Sequence, residues 1–132
     1  MKKFSSTNLV RLSDGSKISR QILESRTRKA KEDFKWSYGV SFPFCQCCGK
    51  NANAGKRLSV SHIISVKECI ETGKSEMAYN EANFQLECNE CHQEWENKGN
   101  NVFKQMNFEN KCDFIEEHFN DTFKRLRAKN KI

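Results

Sequence analysis

Two Cys-x-x-Cys pairs constrain this chain more than any other feature. Cys45 and Cys48 form the first pair, Cys88 and Cys91 form the second, and residues 49–87 separate them. Each pair can direct two thiolates at one ion, and two pairs complete the tetrahedral set typical of structural zinc. The spacing therefore predicts one structural zinc. A thioredoxin-like redox pair is the alternative for either motif alone, but it does not account for both.

The other three of the seven cysteines are expected to play different parts. Cys47 lies between two predicted ligands and is expected to point away, although sequence alone does not separate it from Cys48. Cys69 and Cys112 are typical of small buried side chains. The start of the chain, "MKKFSS", precedes no apolar run, so we predict no secretory signal and favour metal binding over disulfides. A cytoplasmic location and no membrane segment follow as expectations.

Charge is distributed unevenly along the 132 residues, whose net charge is +6. Residues 1–36 are strongly basic, residues 37–123 are mildly acidic, and residues 124–132 contain basic but no acidic residues. Basic ends favour contact with a polyanion, and ordinary solvated surface is the alternative. Only 36% of the residues are hydrophobic, so a structural metal would help a modest core.

Local patterns predict helices at both ends and a strand near the centre. We predict a helix over residues 13–36, with Asp14 or Ser16 as its amino-terminal cap. Its expected apolar face contains Ile18, Ile22 and Leu23. The run "RLSVSHIIS" alternates in the manner of a strand, with Leu58, Val60 and His62 on one side. A carboxy-terminal amphipathic helix is predicted from the spacing of Phe108, Cys112, Ile115, Phe119, Thr122 and Leu126.

The three histidines lie in different contexts. His62 ends the strand-like run, His92 follows the second cysteine pair directly, and His118 is expected to have a surface or packing role. Together with the first cysteine pair, the runs "SVSHIIS" and "NFQLECNECH" resemble the HNH family of metal-dependent nucleases. The resemblance covers about residues 43–98.

The resemblance implies an α+β fold with a small ββα-metal (His-Me finger) core stapled by the four-cysteine zinc. We expect this core at residues 41–104. A basic helical extension at residues 1–40 precedes it, and an amphipathic helix with a basic tail at residues 105–132 follows it.

The resemblance also implies a metal-dependent DNA endonuclease of phage or mobile-element type, acting on double-stranded DNA in a bacterial or phage-infected cell. His62 would be the general base that activates water, and Asn83 would orient the loop and hold His62. His92 would bind a catalytic divalent cation, Mg²⁺ or a softer ion such as Mn²⁺ or Ni²⁺.

Ser61 departs from the family pattern, which often has a metal-binding Asp before the first histidine. Glu94 or Glu96 could supply the missing charge, the ion could be softer, or catalysis could be weak or lost. The alternative function is a zinc-stabilised module that binds nucleic acid or protein without catalysis, with His62 packed in the core. The sequence does not determine the recognition sequence, the choice between nicking and double-strand cleavage, or the choice between DNA and RNA. It also leaves open the biological role and the oligomeric state, which includes a dimer.

Overall fold

The structure is a computed structural model that describes residues 8–39, 44–50, 58–99 and 102–132. Within those ranges the chain is a mixed α+β protein with five α-helices and two small antiparallel sheets. In chain order the elements are β1 (Leu9–Arg11), β2 (Lys17–Ser19), α1 (Arg20–Phe34), β3 (Leu58–His62), α2 (Val66–Glu71), β4 (Phe84–Cys88), α3 (Asn89–Asn97), α4 (Phe108–His118) and α5 (Asn120–Ala128). Short 3-10 helices cover Ser75–Tyr79, Glu81–Asn83 and Val102–Lys104, and a π-helical turn covers Lys35–Gly39.

The amino-terminal segment forms a hairpin before its helix begins. Strands β1 and β2 pair antiparallel, and the Asp14 carboxylate in the turn between them accepts the backbone N–H of Ser16 at 2.9 Å. Gly15 adopts a φ of +88° in this turn, which glycine tolerates because it has no Cβ. The prediction of one continuous helix over residues 13–36 was therefore wrong at its start, because Asp, Gly and Ser stabilise a turn here.

Helix α1 begins at Arg20 and is capped by Ser19 rather than by the predicted residues. Ser19 Oγ accepts the backbone N–H of Ile22 at 3.2 Å. Ile22 is 45% exposed and Ile18 belongs to β2, so the predicted apolar face was wrong except at Leu23. The buried residues of α1 are Leu23, Thr27 and Phe34.

Strands β3 and β4 form the central hairpin, and α3 follows β4 without a loop. Leu58 pairs with Cys88 at one end of the hairpin, and His62 pairs with Phe84 at the other. Side chains alternate between the two faces of a strand. The face that carries His62 is otherwise apolar, while the opposite face carries Ser59, Ser61, Gln85 and Glu87.

Each face of the central hairpin is covered by another element. Helix α1 packs on the apolar face, where the ring centroid of Phe34 lies 5.7 Å from that of Phe84. Helix α4 covers the polar face and inserts Lys111 against Glu87. As a result all five residues of β4 are buried, including the polar ones.

The carboxy-terminal segment folds as two helices rather than the single helix predicted. Phe119 interrupts the helical backbone with φ −137° and ψ 55°, so α4 ends and α5 begins on either side of it. The predicted apolar stripe is nevertheless buried at Ile115, Phe119, Thr122 and Leu126. In the described ranges, no helix combines the length and the apolar character that a bilayer crossing needs.

Candidate functional site

Four cysteine sulfurs converge at the end of the central hairpin. The Sγ atoms of Cys45, Cys48, Cys88 and Cys91 all lie within 4.8 Å of one another, and those of Cys48 and Cys88 are 3.8 Å apart. Zinc–sulfur bonds of about 2.3 Å in a tetrahedron place neighbouring sulfurs about 3.8 Å apart. The group can therefore hold a metal ion such as zinc, and these are the four positions predicted from the sequence.

The backbone around the first pair favours a thiolate at Cys45. Its Sγ accepts the backbone N–H groups of Cys47 at 3.4 Å and Cys88 at 3.3 Å. The neighbouring Cys47 side chain is the largest cause that lowers the pKa of Cys45 to about 3, and these two backbone donors add to it. Burial instead raises the pKa of the Cys48 and Cys91 thiols. A bound cation is what would hold all four sulfurs as thiolates.

Cys47 lies outside the set of four converging sulfurs, although it is close to Cys45. Its thiol donates to the Glu87 carboxylate at 3.0 Å, and its side chain is buried. The backbone carbonyl of Cys47 accepts the N–H of Met106 at 2.7 Å. Cys47 thus connects the cysteine cluster to the polar face of the hairpin and to the segment that leads into α4.

His62 is held in one orientation at the carboxyl end of β3. Its Nε2 lies 2.7 Å from the carbonyl oxygen of Ala78, and its ring contacts Phe84 edge-on at a centroid distance of 5.3 Å. A carbonyl only accepts hydrogen bonds, so Nε2 carries the proton of the neutral ring and Nδ1 carries the lone pair. Burial lowers the pKa of His62, and the positive charge of Lys31 lowers it further.

Asn83 holds the segments that surround His62 without bonding to its ring. Its Oδ1 accepts the N–H of Ile64 at 2.8 Å, and its Nδ2 donates to the carbonyls of Ile64 at 3.0 Å and Met77 at 2.9 Å. These bonds connect the chain after β3 to the segment that carries Ala78. Asn83 therefore positions the carbonyl that orients His62, and it is completely buried.

His92 lies on α3 and has partners distinct from those of His62. Its Nε2 is 3.9 Å from Glu96 Oε1, while its buried Nδ1 has no hydrogen-bond partner among the described residues. Glu94 lines a cavity of about 380 Å³ beside the cysteine cluster. Within the described ranges, the four cysteines are the only set of three or more His, Cys, Asp or Glu residues whose ligand atoms converge.

Ser61 belongs to a buried polar network on the opposite face of the hairpin. Its hydroxyl donates to the Glu87 carboxylate, whose other oxygen lies 3.1 Å from Lys111 Nζ. Lys111 also donates to Gln105 Oε1 at 2.9 Å and lies 4.2 Å above the ring of Trp95. The position where a metal-binding Asp was expected therefore faces a carboxylate that already has an ammonium partner.

Sequence reasoning missed both Glu87 and Lys111. The polar residues Gln85 and Glu87 alternate with Phe84 and Leu86, and this pattern is typical of a strand with one solvated face. In the structure that face is covered by α4, and Glu87 and Lys111 side chains are both 0% exposed. The alternation therefore indicated an exposed Glu87, and no local signal indicated its burial or its partner.

Comparison of the chain with protein-family models, with curated proteins and with solved structures finds no match in any of the three.

Proposed function

We propose that this protein is a metal-dependent endonuclease that hydrolyses phosphodiester bonds in DNA, with His62 as the general base. The observation that carries the proposal is the arrangement of β3, β4 and α3 around the four-cysteine group. His62 ends β3, Asn83 precedes β4, and His92 lies in the first turns of α3. This order agrees with the ββα-metal core that the resemblance to HNH nucleases implies.

The geometry of His62 suits proton abstraction from water. Its Nε2–H is engaged by the Ala78 carbonyl, so the free lone pair of the neutral ring is on Nδ1. Because burial lowers the pKa of His62, the ring is in the basic form at neutral pH. Asn83 keeps the Ala78 segment in place and thereby maintains the tautomer.

His92 and Glu96 are the residues that would hold the catalytic cation. One imidazole nitrogen and one carboxylate oxygen within 3.9 Å of each other are donors that Mg²⁺, Mn²⁺ or Ni²⁺ accepts. Such a cation supplies positive charge to a phosphate oxygen and to the leaving oxygen. Two protein donors leave the remaining positions to phosphate and water.

A non-catalytic zinc-stabilised binding module is the second candidate. It is favoured by Ser61, which is engaged with Glu87 instead of contributing a carboxylate. The described residues also form no second convergent group of three ligands. Such a module would bind nucleic acid or protein, and the exposed basic residues of α1 and α5 favour nucleic acid.

Incubation with supercoiled plasmid in Mg²⁺, Mn²⁺ or Ni²⁺ separates the two candidates. We expect nicked or linear product from the wild-type protein and at least a hundred-fold slower cleavage by His62→Ala, the lower range for loss of a general base of about 10²–10⁴. His118→Gln is the matched control, because His118 is a histidine of α4 with no proposed role in catalysis. Its ring contacts Glu117 and Phe114. Intact DNA with every metal, in the presence of measurable DNA binding, would leave the binding module as the function.

A further inference from the structure

The cations of helix α1 divide into those with partners and those without. Arg20 lies 3.6 Å from Glu24, and Lys29 lies 3.5 Å from Asp33. Arg26 donates to the Tyr79 hydroxyl at 3.3 Å. In the part of the chain that the structure describes, neither Arg28 nor Lys31 has an ion pair, so two positive charges of this helix have no protein partner.

Arg28 and Lys31 are three residues apart and point along the same side of α1. Both line a cavity of about 260 Å³ whose other walls are Leu23, Glu24, Thr27 and Val66. Glu24 is the one carboxylate in that lining, and its Oε1 faces Arg20. The cavity therefore presents two unpaired cations above an apolar floor.

Lys31 is close enough to His62 for its positive charge to lower the pKa of the imidazole. Helix α1 is fixed over the His62 face of the hairpin, because Phe34 packs edge-on against Phe84 and Phe84 packs edge-on against His62. Lys31 precedes Phe34 by one turn, and its charge acts on the His62 ring. Burial also lowers the pKa of Lys31, because its ammonium is partly removed from water.

We propose that Arg28 and Lys31 form a phosphate-binding subsite. It would hold the DNA backbone beside the phosphodiester bond that water attacks with His62 as the general base. The inference rests on the proposed function for the identity of the ligand, a phosphodiester of double-stranded DNA. It places α1, which lies outside the segment that resembles HNH nucleases, in the substrate-binding site. A phosphate oxygen is the anion that suits a paired guanidinium and ammonium.

The test compares Arg28→Gln, Lys31→Gln and the double variant with Lys29→Gln. Lys29 is the matched control, because it is a cation of the same helix that is already paired with Asp33 and does not line the cavity. Binding of a 20-base-pair duplex is measured by fluorescence anisotropy over a range of salt concentrations. Equal thermal unfolding of the variants confirms that each has folded.

We expect the slope of log affinity against log salt to fall by roughly two for the double variant, about one for each lost phosphate contact. Lys29→Gln should keep the wild-type slope, and Lys31→Arg should keep most of the affinity. In steady-state cleavage, Lys31→Gln should raise KM more than it lowers kcat. Identical affinity and slope for the double variant and Lys29→Gln would overturn the subsite, even if the wild-type protein cleaves DNA.

The subsite and the nuclease proposal fail in different experiments. If the wild-type protein does not cleave DNA but the double variant binds the duplex more weakly, the nuclease proposal is overturned and the phosphate subsite is supported. If cleavage depends on His62 but the double variant binds the duplex as the wild type does, the nuclease proposal is supported and the subsite is overturned.

Discussion

The ammonium of Lys111 lies 3.1 Å from the Glu87 carboxylate, and neither side chain is exposed to solvent. The pair joins α4 to β4, and it is surrounded by further hydrogen-bond partners. Glu87 accepts from Ser61 and Cys47, while Lys111 donates to Gln105. A buried charge that loses its partner is costly, so the fold should be sensitive to a substitution of either residue.

Lys111→Ala should lower the free energy of unfolding by about 3–5 kcal/mol, because it leaves the Glu87 carboxylate buried without a cation. Urea denaturation of the purified protein measures the change. The matched control is Lys67→Ala, which removes an exposed ion pair with Glu71 at 3.9 Å and should change stability by at most about 0.5 kcal/mol. Equal losses in the two variants would contradict a special role for the buried pair.

Ser61→Asp should not recruit a metal ion, although it introduces the carboxylate that is common in HNH nucleases. The new carboxylate would be buried and would face Glu87, which already pairs with the Lys111 ammonium, so we expect a loss of about 2–4 kcal/mol in unfolding free energy. Ser61→Ala removes a single hydrogen bond and should cost about 1 kcal/mol. Faster Mg²⁺-dependent cleavage by a stable Ser61→Asp protein would show that this position reaches the catalytic cation after all.

The purified protein should contain one tightly bound zinc per chain, measured by elemental analysis. Cys45→Ser or Cys88→Ser should reduce the zinc content to nearly none and lower the thermal stability, because metal binding contributes directly to folding. Cys112→Ser is the control, since Cys112 lies on α4 outside the four-sulfur group. Retained zinc in Cys45→Ser would contradict the assignment.

The His62 imidazole should titrate below its usual pKa of 6.5 in a nuclear magnetic resonance experiment. Because the folded state resists protonation more than the unfolded state, His62 destabilises the fold as pH falls below 6.5 towards its folded pKa. Above pH 6.5 this effect is absent.

The unfolding free energy of the wild type minus that of His62→Gln should therefore be smaller at pH 5.5 than at pH 7.5, as measured by urea titration at each pH. A larger value of this difference at pH 5.5 would mean that the folded state favours the charged ring. Lys31→Gln should raise the measured pKa of His62, whereas Lys29→Gln should leave it unchanged.

Local sequence patterns predicted much of the central segment. The strand that ends at His62 was predicted because the alternation of its side chains depends on residues close together in the chain. The errors lie at the two ends, where the hairpin before α1 and the break at Phe119 were missed. Both were turn or backbone effects that compete with a longer helical pattern.

The sequence by itself determined that two cysteine pairs can share one ion, because their spacing limits which sulfurs can converge, while the choice of Cys48 over Cys47 needed the structure. It also determined which residues of β3 share a face, since alternation is a property of the strand itself. Only the tertiary structure decided what covers those faces. The electrostatic effect of Lys31 on His62 and the contact of Lys111 with Glu87 join residues far apart in the chain, and no local pattern specifies such partners.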